Sequence, residues 1–439
     1  MRLGEAVYGA GALAAACRRQ WRQEPWWNAY QLRALNTQMA HAMATVPFYA
    51  ALFRQRGIEP SALRGPEDLQ RLPLIHKSDI QAQPQAFLSG KGNRLRWHRS
   101  HSSGSTGEPL ESWFNPQSWA QVKYALKVRR LLAWGWRPGK HVVIVEALDP
   151  EQLASHARHL RLPAEQLIGP RGYLSVFEPP ARHLDTYHRL RPQYLYGFPS
   201  YFLELANHWD EAMRRRVPLK ALITSAEWLS PSTRKQLETH YGVPVCDVYG
   251  STEVKEVAWQ CPGQPGYHIN MDSVVVEIVD EDGRPTAAGH AGELVVTALT
   301  NRAMPLIRYA TGDRAIALSG PCACGRGLSR LDRIEGRVSD YLNVPGLGRR
   351  SMYELTTAVS EVRGVAQYTI VQRTPQQLEV LVVLKPGYDG VTASAIWEAV
   401  RRVVDGQFEV SVTPVASIAR EPSGKHRLVH LLHPAEASS

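Results

Sequence analysis

Five short stretches of this sequence combine glycine with hydroxyl, carboxylate or cationic side chains in patterns that suit phosphate chemistry. The first, at 102–109, reads Ser-Ser-Gly-Ser-Thr-Gly-Glu-Pro. Glycine lets a backbone approach an anion closely, and serine and threonine hydroxyls donate hydrogen bonds to its oxygens. A Ser/Gly tract is also typical of a flexible linker, so this stretch alone does not decide between the two. The other four lie downstream at 249–253, 308–313, 336–340 and 423–427.

Taken together and in this order, the five stretches resemble the motifs of the adenylate-forming ligases, which use ATP to convert a carboxylate into an acyl-AMP. Within that superfamily the sequence is similar to the phenylacetate:CoA ligase branch, which includes capsule-associated ligases. The resemblance implies an ATP- and Mg²⁺-dependent acid–thiol ligase that acts on a carboxylic acid, such as an aromatic acid, with CoA or another thiol as acceptor. Two alternatives stay open: transfer of the acyl group to a carrier protein or an amine, and nucleotide binding without turnover.

The resemblance also implies roles for single residues, because charge builds on phosphate oxygens when a carboxylate displaces pyrophosphate from ATP. Tyr249 would lie against the adenine, Thr252 would reach the α-phosphate, and Glu253 would hold Mg²⁺, a cation that prefers oxygen ligands. Asp313 would accept hydrogen bonds from both ribose hydroxyls. The residues implied to hold the β- and γ-phosphates are Ser102, Ser103, Gly104, Ser105, Thr106 and Gly107.

Two further roles concern a domain motion. Lys425 would bridge the attacking carboxylate and the α-phosphate, and the resemblance implies that a small C-terminal domain then rotates to withdraw it and admit the thiol. Arg337 would contact the nucleotide and begin the hinge between the domains. The family has an acidic residue two positions after this arginine, whereas here Ser339 stands there and Asp340 follows. The pivot residue is therefore not identified.

The cysteines point to a separate metal site. Cys322 and Cys324 are too close in sequence for an easy internal disulfide. Together with Cys261 and His268 they would supply three thiolates and one imidazole, the ligand set of a closed structural zinc site. The alternative is four unconnected residues in turns. The two remaining cysteines, Cys17 and Cys246, are predicted to be buried apolar residues.

Two aromatic-containing segments follow predicted strands, at 196–200 and 225–228. They can line a pocket for a flat acid or pack in the core, and the sequence does not choose between these interpretations.

The composition limits the kind of partner. A net charge of +10 and a pI near 9.4 suit ATP and CoA, and they would equally suit a nucleic acid. The arginines are scattered and no recognised nucleic-acid motif occurs, so we expect no nucleic-acid partner. No apolar run reaches the roughly 18 residues that a membrane span needs. The basic pair Arg18-Arg19 follows the apolar run 10–17 rather than preceding it, which argues against a secretory signal, so the sequence predicts a cytoplasmic protein.

The elements that position these residues follow from hydrophobic patterning. The first hundred residues are predicted to be mainly helical. From residue 140, short apolar runs alternate with polar loops and with predicted helices at 201–216 and 231–241, which predicts an α/β sheet with candidate site residues beyond the strand ends. Near the C-terminus, residues 408–418 are predicted to form a strand. The predicted fold class is α/β: a large multi-layered domain at 1–336 with sheets flanked by helices, and a small mobile α+β domain at 337–439.

Overall fold

The computed structural model of the protein describes residues 3–59, 63–101, 110–153, 172–337, 341–344, 348–385, 387–388 and 390–432. These residues form two compact units, each built from two separate parts of the chain. One unit contains Met1–Arg137 and Val248–Ile334, and the other contains Pro138–Asp247 and Glu335–Ser439. The predicted division at 336/337 stays a prediction.

The first unit begins with the predicted helical region. Its long helices are Leu3–Arg19, Glu24–Thr45 and Pro47–Arg56. The last two are separated at Val46, whose extended backbone is the conformation favoured before proline, and Pro47 then occupies the first helical position. Further helical segments in this unit are Pro66–Arg71, Lys77–Ala82, Pro84–Phe87, Arg94–Arg96, Pro116–Trp119, Ala120–Ala125 and Leu126–Ala133.

Most neighbouring strands of the first unit pair antiparallel. In sheet order they are Val274–Val279, Ala291–Ala298, Tyr309–Leu318, Arg330–Arg337, Tyr267–Ile269 and Lys255–Gln260. A separate hairpin joins His98–His101 to Glu111–Phe114. Two buried ion pairs hold helix Leu126–Ala133 in place: Arg129 contacts Asp272 in the turn before strand Val274–Val279, and Arg130 Nε lies 3.1 Å from Glu256 Oε2 in strand Lys255–Gln260.

The N-terminal part of the second unit is a parallel sheet with helices. Its strands are Ala221–Ser225, Tyr194–Gly197, Val142–Glu146 and Gly172–Ser175 in sheet order. Strand Val245–Ser251 crosses from this unit into the first. The helical segments are Pro180–His183, Leu184–Leu190, Pro199–Ala206, Glu211–Arg216 and Pro231–Tyr241. This part has its own core, which includes Val143, Leu195, Phe202 and Leu222.

The C-terminal part of the second unit is α+β, as predicted. Its four-stranded sheet has the order Glu409–Pro414, Gln377–Leu384, Val365–Thr374 and Val429–His430, beside helices Met352–Ser360 and Gly390–Val403 and the hairpin of Tyr341–Val344 with Gly348–Ser351. A second core, which includes Leu355, Ile370, Val380 and Val400, lies within this part alone. None of the helices in the described part of the chain has the length and apolar content needed to cross a bilayer.

Candidate active site and metal centre

Thr252 and Glu253 lie in the turn between strands Val245–Ser251 and Lys255–Gln260. The Ser251 hydroxyl accepts the backbone N–H of Glu253 at 3.2 Å and so holds the turn. Gly250 is required here because a Cβ at this position would lie 2.3 Å from the carbonyl oxygen of Lys255. The hairpin therefore fixes a hydroxyl and a carboxylate side by side.

Tyr249 and Asp313 are brought together by a distortion in the neighbouring sheet. In the pairing of Ala291–Ala298 with Tyr309–Leu318, the register shifts so that the residues 311–313 stand opposite Leu294 alone. This bulge turns Asp313 toward the tyrosine, whose hydroxyl donates to Asp313 Oδ2 at 2.7 Å. Burial, then the Asp313 charge, raises the pKa of Tyr249, so it remains a neutral donor.

Arg308, at the start of the same motif, has a structural role. Its backbone adopts a left-handed conformation with φ of 50°. Its guanidinium is buried and donates to the carbonyl oxygens of Leu72 at 2.6 Å and Gly283 at 2.7 Å, while pairing with Glu277 at 3.1 Å. These contacts fix the strand that carries Asp313.

Lys255 is a cation next to the turn that the sequence motifs do not single out. Its ammonium group contacts the Ser100 hydroxyl and lies 5.1 Å from the centroid of the Phe114 ring. Burial, with Lys123 and Lys127 nearby, lowers the pKa of Lys255 to about 7, and Glu253 opposes this shift. A lysine that is only partly protonated near neutral pH therefore lies beside Glu253.

The predicted phosphate loop, Ser102 to Gly107, lies outside the described residues. The strands on either side of it are described, and His101 is paired with Glu111 in their antiparallel hairpin.

Lys425 lies in a tight turn in the second unit. The Glu421 N–H donates to the Lys425 carbonyl at 2.9 Å, and the Gly424 N–H donates to the Glu421 carbonyl at 2.8 Å. Gly424 has φ of 75°, and a Cβ there would lie 2.7 Å from side-chain atoms of Ala147 and Val176. A turn that only glycine can complete thus presents the lysine. Arg337 ends strand Arg330–Arg337, while Ser339 and Asp340 lie outside the described residues.

The predicted metal ligands form one cluster in the first unit. The ligand atoms of Cys261, His268, Cys322 and Cys324 all lie within 4.8 Å of one another. Cys261 Sγ is 3.7 Å from Cys322 Sγ, and Cys324 Sγ is 3.3 Å from His268 Nε2. In tetrahedral zinc coordination the corresponding edges are about 3.8 Å between two sulfurs and about 3.6 Å between sulfur and nitrogen. The ligand set and these two distances therefore fit a tetrahedral zinc ion.

The surroundings also suit neutral histidine as a ligand. Burial, then the charges of Arg326 and Arg330, lowers the pKa of His268 to about 4, so the imidazole is neutral at physiological pH. Burial raises the pKa of Cys261 to about 12, so this thiol loses its proton only when a cation compensates the charge.

Comparison with known proteins places these motifs in a family. A family model described as AMP-binding enzyme matches residues 170–300. The phenylacetate-coenzyme A ligase of Thermus thermophilus is 31% identical over 365 residues, which is 80% of this chain and 79% of that protein. The phenylacetate-coenzyme A ligase of Escherichia coli is 30% identical over 336 residues, 72% of this chain and 74% of that protein. The chain belongs to the phenylacetate-coenzyme A ligase family.

Solved structures agree on the fold. A crystal structure of 2-hydroxyisobutyryl-CoA ligase in the postadenylation state has a TM-score of 0.80 at 21% identity and covers 96% of this chain and 93% of that chain. A benzoate CoA ligase from Burkholderia xenovorans has a TM-score of 0.56 at 14% identity, with 95% of this chain and 98% of that chain covered. The α/β fold class predicted from the sequence is confirmed.

As a member of the phenylacetate-coenzyme A ligase family, the protein is an AMP-forming acid–CoA ligase. It activates a carboxylic acid as an acyl-AMP at the expense of ATP and passes the acyl group to CoA. The predicted family, the predicted enzyme class and the predicted acid–CoA ligase function are therefore confirmed.

In this ligase the sequence alone does not show whether the 196–200 and 225–228 segments line a substrate pocket or pack in the core. Phe198 is buried in the core of the parallel sheet, and Trp228 packs edge-on against Tyr353 at 5.3 Å. Phe198 therefore packs in the core, whereas Trp228 is only partly buried and also lines a cavity together with Ser200 and Glu227. Cys246 is fully buried as predicted, whereas Cys17 is only partly buried.

Proposed function

We propose that the residues singled out by the motifs perform the adenylation step. Tyr249 would bind the adenine, Asp313 the ribose hydroxyls and Thr252 the α-phosphate. The observation that carries this proposal is the 2.7 Å hydrogen bond from Tyr249 to Asp313, because it brings two separate motifs to one place beside the 252–253 turn. Ser102 to Gly107 would hold the β- and γ-phosphates, and Arg337 would contact the nucleotide.

Glu253 would hold Mg²⁺, which supplies charge neutralisation on the phosphates when bound. A carboxylate oxygen is a suitable ligand, and the short 251–254 turn sets its position. Lys425 would stabilise the developing charge between the attacking carboxylate and the α-phosphate.

The four-residue cluster would hold a structural Zn²⁺. Four protein ligands leave no open position for substrate, so the metal would link the turn after strand Lys255–Gln260 to the turn at 322–324 rather than take part in the reaction.

The C-terminal segment 337–439 would act as a mobile domain, withdrawing Lys425 after adenylation. Its separate hydrophobic core supports this division. We place the protein in the cytoplasm, a reducing compartment in which thiol ligands persist.

The acid is best sought among those named for the relatives. A panel of phenylacetate, benzoate, 2-hydroxyisobutyrate and acetate, assayed for ATP-dependent pyrophosphate release with and without CoA, tests the proposal. We expect an aromatic acid to give the highest release, and a thioester only when CoA is present. No release with any acid would contradict the proposed adenylation.

A further inference from the structure

Glu227 lies where it can hold the turn that carries Lys425. It lies two residues after strand Ala221–Ser225, and its side chain is only 6% exposed. Its Oε1 accepts the Ser200 hydroxyl at 2.8 Å and also the backbone N–H of His426, while its Oε2 accepts the Ser200 N–H at 3.0 Å. One buried carboxylate thus joins the start of helix Pro199–Ala206 to the residue after Lys425.

Arg420 makes a second connection to the same place. One guanidinium nitrogen, Nη1, donates to the Ser200 hydroxyl at 2.6 Å and lies 3.7 Å from Glu227. The same nitrogen donates to the Gly424 carbonyl at 3.3 Å, and the other terminal nitrogen pairs with Glu204. The arginine therefore compensates the charge of Glu227 and supports the turn from its other side.

The turn transmits this positioning to the lysine. The two backbone hydrogen bonds within 421–425 leave it little freedom, and His426 is further fixed by a 2.9 Å hydrogen bond between its ring Nε2 and the Tyr368 carbonyl oxygen. Because Lys425 is one peptide bond from His426, the place of its Cα follows from the Glu227 contact.

The joint around Glu227, where the N-terminal and C-terminal parts of the second unit meet, is largely polar, although it lies between their two hydrophobic cores. Further contacts across it are hydrogen bonds: the Ser232 hydroxyl to the Ser360 carbonyl at 2.7 Å, and Lys385 Nζ to Gln236 Oε1 at 2.7 Å. An apolar contact, Trp228 with Tyr353, accompanies them. Hydrogen bonds of this kind can be exchanged for water at small net cost, so such a joint can open and close repeatedly.

We propose that Glu227 is a positioning residue for adenylation, which docks the 421–426 turn so that Lys425 is correctly placed in the first half-reaction and not in the second. The inference rests on the proposed role of Lys425. It assigns to Glu227 no contact with substrate.

The test uses the full-length enzyme with Glu227→Gln, which keeps the shape of the side chain and removes its charge. Glu238→Gln is the matched control: Glu238 also accepts a backbone N–H, from Val245 at 3.1 Å, and pairs with Arg234 at 3.5 Å, within the N-terminal part of the same unit. Pyrophosphate release is measured with the most active acid of the panel, and thioester formation is measured from the corresponding synthetic acyl-AMP and CoA. Hydrogen–deuterium exchange of the 420–428 segment supplies a readout that needs no substrate.

We expect Glu227→Gln to slow pyrophosphate release at least about tenfold, as loss of a charge-assisted hydrogen bond allows. Thioester formation should change less than about twofold. Hydrogen–deuterium exchange in 420–428 should become faster. In a Lys425→Ala background, Glu227→Gln should cause no further loss of pyrophosphate release, because the carboxylate acts through the lysine. The control should behave as wild type in every assay.

The proposal is overturned by wild-type pyrophosphate release, by equal loss of both half-reactions, or by an additive loss in the Lys425→Ala background. Unchanged exchange in 420–428 would also overturn it. If Lys425→Ala itself adenylates normally, the proposed role of the lysine fails, and the exchange measurement still decides whether Glu227 holds the turn.

Discussion

At the scale of single residues, the Tyr249 hydroxyl and the Asp313 carboxylate show how the proposed nucleotide site is prepared. The tyrosine is neutral and donates to one carboxylate oxygen. A carboxylate can accept several hydrogen bonds, so Asp313 can keep this contact while it accepts ribose hydroxyls. The tyrosine thus orients the group that would bind the sugar.

Asp313→Ala should weaken the binding of both ATP and AMP, because hydrogen bonds to a charged group contribute about 1.5–3 kcal/mol each. Isothermal titration of the two nucleotides measures this. Asp282→Ala, which removes an exposed carboxylate that pairs with Arg284 at 2.9 Å, is the control and should bind normally. Tyr249→Phe should cost less than Asp313→Ala. Unchanged affinity in Asp313→Ala would remove this residue from the site.

At the scale of secondary-structure elements, the sequence predicted most strands and helices because local signals determine them. Helix Pro231–Tyr241 was predicted with its observed bounds, since Pro231 begins it and the Ser230 hydroxyl accepts the Thr233 N–H at 2.9 Å. The single helix expected at 201–216 is instead two helices, because Asp210 caps a new one by accepting the Met213 N–H at 2.8 Å. Strand 408–418 is shorter than expected and ends at Pro414.

The contacts of Glu227 could not be predicted in the same way. Its partners Ser200 and His426 are 27 and 199 residues away in the chain, and no local pattern marks a carboxylate that accepts backbone N–H groups from such distances. The bulge at Asp313 could not be predicted for a related reason, since it depends on how two strands pair. Motifs therefore indicate candidate site residues, whereas only the tertiary structure shows what holds them in place.

The hairpin at Thr252 gives a prediction at this scale. Gly250→Ala should destabilise the protein by about 1–3 kcal/mol, because the added Cβ would overlap backbone of the opposite strand. Gly263→Ala is the control, since a Cβ there meets nothing within 4 Å. Chemical denaturation measures the free energy of unfolding of each. Equal stability of the two variants would show that the hairpin can relax.

The metal cluster gives another prediction at the scale of secondary-structure elements. If Cys261, His268, Cys322 and Cys324 bind one zinc, protein purified without chelators should contain about one zinc per chain. Cys322→Ser should lose the metal and lower the melting temperature, while activity per folded molecule falls less than stability. Cys246→Ser, which changes a buried cysteine outside the cluster, should keep the metal. Metal analysis that finds no zinc in the wild type would contradict this site without affecting the ligase assignment.

At the scale of the whole molecule, the protein must carry out two half-reactions: formation of the acyl-AMP and transfer of the acyl group to CoA. The net charge of +10 favours both anionic substrates, ATP and CoA, and so does not separate the two steps. Moving Lys425 between the two half-reactions would separate them. The C-terminal part of the second unit has its own hydrophobic core and carries Lys425, so it can move without exposing either core.

Lys425→Ala should therefore remove most adenylation yet leave thioester formation from a supplied acyl-AMP largely intact. In its proposed role the lysine would stabilise charge that develops only while the carboxylate attacks the α-phosphate, and losing one such cation typically slows a reaction by roughly 100-fold or more. Pyrophosphate release and acyl-CoA formation are measured separately on the same preparation, with Lys220→Ala, an exposed lysine of the same unit, as control. Equal loss of both half-reactions would count against alternation, because a residue withdrawn before the second step cannot be needed in it.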